Sequence, residues 1–247
     1  MCRAIRLTPL MGKSLTKLSA NLQKKRACTN RLNKAGSPQT RLLERLKMSQ
    51  TALIVIDVQV DFCPGGALAV QGGDDIVAPV NDLMTQPQTV ILTQDWHPAG
   101  HSSFASSHEH KVPMELIEMP YGPQVLWPDH CVQGSPGAAF HPDLNTDRAD
   151  MIIRKGFRPH IDSYSAFFEN DRTTPTGLDG YLKTRGISEL VMVGLATDFC
   201  VAYSAVDAAK LGYHVRVLQP ACRAIDMDGS LVAARQTMRS AGVVLEG

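Results

Sequence analysis

From residue 52 onward, short apolar runs rich in β-branched side chains recur at residues 52–58, 89–93, 151–153, 189–193, 215–218 and 243–245. Runs of this length, without alternation of polar side chains, read as strands buried on both faces of a parallel sheet. Between several of them, apolar side chains return at helical spacing over residues 76–84, 177–184, 199–211 and 230–240, with Gly186, Gly212 and Gly242 standing as C-terminal stops. Strands alternating with helices predict an α/β protein, a three-layer sandwich whose central parallel sheet is flanked by helices. Residues 95–150 break the rhythm. They are rich in Pro, Gly and His and far longer than an ordinary connection, and loops of that length are usually functional.

Residues 1–47 show neither pattern. They carry twelve Lys/Arg and a single acid, Glu44, whereas residues 48–247 carry thirteen Lys/Arg against twenty-three Asp/Glu, so the net charge of +1 conceals opposite halves. The preferred account is a basic extension belonging to an over-long gene model, because Met48 immediately precedes the first strong strand. An organelle transit peptide and a basic arm holding phosphate without specificity are the alternatives. The remainder, 48–247, reads as one domain. The six cysteines form no CxxC pair, which fits a reduced, cytoplasmic setting. No apolar run approaches the roughly 18–20 residues needed to span a bilayer, so neither a membrane nor a nucleic acid is an expected partner. A homo-oligomer is compatible with the sequence, which leaves its state open.

In an open α/β sheet ligands bind beyond the carboxyl ends of the strands, so polar residues there are the first to examine. Asp57 interrupts the apolar run at 54–58, where an unpaired carboxylate would be expensive. Satisfaction by backbone amides is the competing reading. Lys155 follows Ile152-Ile153-Arg154 and could pair with Asp57; alone it would read as a surface lysine. Cys200 follows the strand ending near Gly194 and opens a helix, where unpaired amides and the helix dipole favour a thiolate. A lone cysteine is more often an inert core residue. With an acid and a lysine at neighbouring strand ends it reads instead as a nucleophile with a base within reach and backbone N–H groups as oxyanion donors.

The long connection adds Asp95 and His97, then His101, and later His130 beside Cys131. An Asp/His/His set with open positions suits zinc, iron or manganese in a substrate-facing site. His101 is an ambiguous fourth member. The remaining histidines read as surface or hydrogen-bonding residues.

Several blocks, in order, resemble the nicotinamidases (pyrazinamidases), within the isochorismatase-like cysteine hydrolases. They are Ala-Leu-Ile-Val-Ile-Asp-Val-Gln at 52–59 with Asp61-Phe62-Cys63, Gln-Asp-Trp-His-Pro at 94–98, and Trp-Pro-Asp-His-Cys-Val at 127–132. Lys155-Gly156, Asp-Ser-Tyr-Ser-Ala-Phe at 162–167 and Gly-Leu-Ala-Thr-Asp-Phe-Cys-Val at 194–201 complete the set. The resemblance implies Asp57, Lys155 and Cys200 as a catalytic triad, with one divalent metal ion on Asp95, His97 and His130. It also implies a cis peptide between Leu195 and Ala196 that aims the Ala196 and Cys200 amides at an oxyanion. Phe62, Trp127 and Tyr164 would line a pocket for the flat ring of nicotinamide. Phe199 departs from the His or Tyr common before the nucleophile, and its side chain need not face the substrate. The rival readings are an isochorismatase or N-carbamoyl amidase on the same fold, a metallohydrolase in which Cys200 is structural, and a non-enzymatic binding module.

Overall fold

A computed structural model of the chain describes residues 50–86 and 88–247. The expectations for residues 1–47 lie outside the described residues. Six strands make one sheet: β1 (Thr51–Ile56), β2 (Thr89–Asp95), β5 (Met151–Lys155), β6 (Glu189–Leu195), β7 (His214–Arg223) and β8 (Val244–Glu246). Their order is β5-β2-β1-β6-β7-β8, and every pairing is parallel. Among the described residues the α-helices are α1 (Val77–Met84), α2 (Leu178–Thr184), α3 (Ala202–Lys210) and α4 (Ser230–Ser240). The predicted parallel-sheet sandwich is therefore the observed class.

β1 and β6 form the centre of the core: Ala52, Leu53, Ile54 and Ile56 are completely buried, as are Leu190, Met192 and Val193. Their lack of alternation follows from burial on both faces. Strands β2, β5 and β6 each run two residues further than the apolar runs suggested, because the backbone ladder continues through Gln94-Asp95, Arg154-Lys155 and Gly194-Leu195. β1 does the reverse. It stops at Ile56, and Asp57 leaves the strand with a left-handed φ of 46°.

The sheet is built outward from β1 through β2 to β5, and the chain then returns to place β6 on the other side of β1. The reversal between β1 and β6 opens a crevice at their carboxyl ends, the position where open α/β sheets bind ligands. Two features were not anticipated. Residues 116–125 contain an antiparallel hairpin, β3 (Leu116–Met119) and β4 (Gly122–Val125), whose short strands leave only Gln124 buried. The helix expected from residue 199 begins as a π-helical turn, Thr197–Val201, before α3. Among the described residues no helix is long and apolar enough to cross a membrane.

Candidate active site

The sheet register alone brings much of the site together. Asp95 and Lys155 end neighbouring strands as direct partners, and Ile56, immediately before Asp57, is paired with Gly194. Gly194 permits that approach: a Cβ there would lie 2.1 Å from the Ile56 carbonyl oxygen. Lys155 is completely buried, and its Nζ lies 2.8 Å from Asp57 Oδ2, 2.8 Å from Asp95 Oδ1, 3.0 Å from the Ser163 carbonyl and 3.4 Å from Cys200 Sγ. Thr93 fixes the acid from the other side, donating to Asp57 Oδ1 at 2.6 Å and accepting from the Asp57 amide at 3.1 Å.

Burial by itself would drive a proton off Lys155, but the carboxylates of Asp57 and Asp95 outweigh it and hold the ammonium pKa well above the ordinary lysine value. For Asp57, burial dominates and raises the carboxyl above the usual range despite Lys155, with Asp95 adding to the rise. Cys200 corrects the thiolate expectation. Its thiol is held well above the ordinary value, first by burial and then, against the pull of Lys155, by Asp57 and Asp95. Burial thus favours the protonated form of Cys200, and its sulfur sits beside a carboxylate whose basicity burial also raises. Its place in a π-helical turn rather than the first turn of α3 also weakens the dipole argument that favoured a thiolate.

Asp198 anchors that turn by accepting from the amides of Ile225 and Asp226, at 3.1 and 2.8 Å, and from the Ser230 hydroxyl. The Leu195–Ala196 peptide is cis, and Ala196 and Cys200 both line the pocket.

The second carboxylate oxygen of Asp95 faces away from Lys155. His97 Nε2 lies 3.4 Å from Asp95 Oδ2 and His130 Nε2 3.7 Å from it. Each imidazole commits its Nδ1–H to a carbonyl, His97 to Gly156 and His130 to Pro128, both at 2.8 Å. The two Nε2 lone pairs are thereby turned toward the carboxylate, the arrangement that orients metal-bound imidazoles. Two imidazoles and one carboxylate, all buried and within 4.8 Å of one another, fit a divalent transition ion. His101 does not complete this set. Its Nε2 faces the Arg158 and Ile161 carbonyls and its Nδ1 faces Ser103, so both ring nitrogens are occupied.

Between these groups lies a narrow pocket lined by Phe62, Leu68, Asp95, Trp127, His130, Asp162, Tyr164, Ala196, Phe199, Cys200 and Ile225. The three aromatic side chains expected there are all present. Phe199 is a correction: it faces the pocket, packed edge-on against Trp127 and Tyr164 at centroid separations of 4.9 and 5.6 Å. Sequence reasoning also passed over Thr93, Asp162 and Gln59. Gln59 clamps Asp95, donating to its carbonyl at 2.9 Å and accepting from its amide at 2.8 Å. A fully buried glutamine two residues beyond Asp57 carried the only signal available for it.

This arrangement has known counterparts. The sequence profile of the isochorismatase domain matches residues 51–246. The nicotinamidase of Acinetobacter baylyi is 57% identical over 201 residues, covering 80% of this chain and 94% of the relative. Among solved structures, a nicotinamidase/pyrazinamidase of Acinetobacter baumanii superposes with a TM-score of 0.79 at 56% identity, over 80% of this chain and 96% of that one. A pyrazinamidase of Pyrococcus horikoshii in complex with zinc does so with a TM-score of 0.63 at 36% identity, over 79% and 98%. With a family match running from the first strand to the last, at high identity across the whole described region, this chain belongs to the isochorismatase domain family.

Proposed function

We propose that the chain is a nicotinamidase, a cysteine amidohydrolase that converts nicotinamide to nicotinate and ammonia and also accepts pyrazinamide. The observation that carries this reading is the buried Lys155 ammonium, which touches Asp57, Cys200 and the metal-facing Asp95 at once beside an aromatic pocket. The relative of 57% identity is a nicotinamidase, which supports the same assignment.

Asp57 removes the Cys200 proton as the sulfur attacks the amide carbon, so the thiolate forms only when it is used. The Ala196 and Cys200 amides receive the oxyanion. The C–N bond then breaks, and the proton held by Asp57 leaves with ammonia. A water attacks the resulting thioester, with Asp57 taking its proton, and nicotinate and the free thiol are released. Lys155 stays protonated throughout and balances the charge on Asp57. A divalent ion, zinc by analogy with the Pyrococcus pyrazinamidase, would be held by Asp95, His97 and His130 and would supply a Lewis-acidic anchor for the pyridine nitrogen. Phe62, Trp127, Tyr164 and Phe199 hold the ring flat, which orients the carboxamide toward Cys200.

Ammonia release from nicotinamide and pyrazinamide, measured before and after chelation, tests the assignment. Turnover of both that falls on chelation and returns with zinc is the expected result. Hydrolysis of other small amides with neither of these would move the chain to a different activity of the same family.

A further inference from the structure

The aromatic wall of the pocket is not held by the sheet. Tyr164 Oη accepts from Trp127 Nε1 at 3.1 Å, and both rings hang on connections outside the six-stranded sheet. Behind them, at the end of the β3–β4 hairpin, stands Gln124, whose side chain is completely buried. Its amide nitrogen lies 2.9 Å from Tyr164 Oη, 2.9 Å from Asp162 Oδ2 and 2.7 Å from the Val125 carbonyl, three acceptors for two protons. Its amide oxygen receives Asn170 Nδ2 at 3.1 Å and the Tyr121 hydroxyl at 3.3 Å. Asn170 in turn accepts from the Tyr164 amide at 3.0 Å. Every polar atom of Gln124 is thus engaged with a residue that lines the pocket or holds one that does.

We infer that Gln124 is a positioning residue for substrate recognition: through Tyr164 and Asp162 it sets the spacing of the aromatic wall and so the fit of a six-membered ring amide. This rests on the nicotinamidase reading. The hydrogen bonds of the Gln124 side chain go to Tyr164, Asp162, Val125, Asn170 and Tyr121 and to none of Asp57, Lys155 or Cys200, so the chemistry of the thiol is separate from its action. Burial makes the effect large, because an apolar replacement removes one buried donor from each of Asp162 Oδ2 and Tyr164 Oη, leaving Tyr164 only Trp127 and Asp162 its bond from the Ser163 amide.

The test compares wild type, Gln124→Leu, Tyr164→Phe and the double variant as metal-loaded enzymes, with active sites counted by iodoacetamide labelling of Cys200. Gln124→Leu is expected to raise KM for nicotinamide and Ki for nicotinate by about ten-fold each, with kcat per labelled site within about three-fold of wild type. Tyr164→Phe removes one oxygen and no volume, so it remains informative if Gln124→Leu does not fold. It should raise both constants in the same sense, and adding Gln124→Leu to it should contribute less than the single change does alone. A purely structural role would lower the number of labelled sites while leaving KM and Ki unchanged, and that result overturns the inference. So would unchanged constants in Tyr164→Phe. Absence of nicotinamide turnover in the wild type would instead overturn the functional assignment on which the inference rests.

Discussion

The two sides of the candidate site are built by different physics. Asp57, Lys155 and Cys200 stand at or just beyond carboxyl ends of strands, where sheet register sets their spacing: Asp95 and Lys155 are ladder partners, and Ile56 is paired with Gly194. His97, His130, Trp127 and Gln124 belong to the long connection between β2 and β5, where no ladder of the main sheet reaches them. Their places depend on contacts among loops and side chains, such as the Gly156 carbonyl on His97 and the Cys131 amide on Asp61. Asp95 belongs to both sides, with Oδ1 on Lys155 and Oδ2 between the imidazoles. On the proposed mechanism, reactivity then rests on the part held by sheet register and substrate placement on the part assembled by side chains, with one carboxylate in contact with both.

That division makes graded demands on mutants. Cys200→Ala should produce the largest change, loss of nicotinamide turnover by at least about 10³-fold with metal content retained, as nucleophile deletions do elsewhere. Metal analysis alongside an ammonia assay checks it; near wild-type turnover would favour direct attack by metal-activated water. Next come the ligands. His130→Ala should lose metal and about 10²-fold in kcat/KM while Cys200 in chelated protein is alkylated at the wild-type rate. Asp95→Asn should differ from it in chelated protein: removing a negative charge that raises the Cys200 pKa should speed alkylation by iodoacetamide at neutral pH, even as turnover falls further. Equal alkylation rates in the two variants would mean that Asp95 does not link the two sides.

Gly156→Ala should act more mildly, on the metal side alone. Its φ is +64°, and a Cβ would lie 2.4 Å from His97 Cε1, so the ring must move and the peptide bears left-handed strain of about 1–3 kcal/mol. Weaker metal retention against a chelator and a lowered melting temperature are the expected outcomes. Further from the chemistry, Glu169 is held to about 7 by burial, against the opposing charge of Arg158, and its Oε2 has no hydrogen-bond partner among the described residues. Because the folded pKa lies above the unfolded one, the fold gains stability from the protonated form below the unfolded value near 4.5. That contribution is lost as pH rises through about 7. Melting curves between pH 5 and about 8 should show a decline that Glu169→Gln removes. The smallest effect is expected from deleting residues 1–47, since a chain starting at Met48 retains every described strand and all of the site; its solubility and turnover should match the full chain.

Much of this molecule was legible before any coordinates. Six apolar runs marked all six strands of the sheet, because a strand covered on both faces has no polar face to show. Asp57 stood out because a carboxylate is chemically misplaced in such a run, and Lys155 and Cys200 because they follow other runs of the same sheet. The β3–β4 hairpin was missed for the converse reason: its strands are four residues each, and the one side chain they bury, Gln124, is polar, so no buried apolar run marks them. Phe199 and Gln124 were missed because the direction of a side chain in a turn or connection follows from distant contacts rather than from local spacing.

Composition and spacing alone determined the layer architecture, the parallel sheet and which strand ends carried reactive groups, since these follow from burial and backbone periodicity along the chain. Only the tertiary structure decided that Lys155 meets Asp57, Asp95 and Cys200 at one point, that His101 is occupied by carbonyls and Ser103, and that burial pushes the Cys200 thiol up. Those outcomes depend on burial and on charges from residues up to 143 positions apart in sequence, Asp57 and Cys200, and the electrostatics of such a cluster exist only once water has been excluded from it.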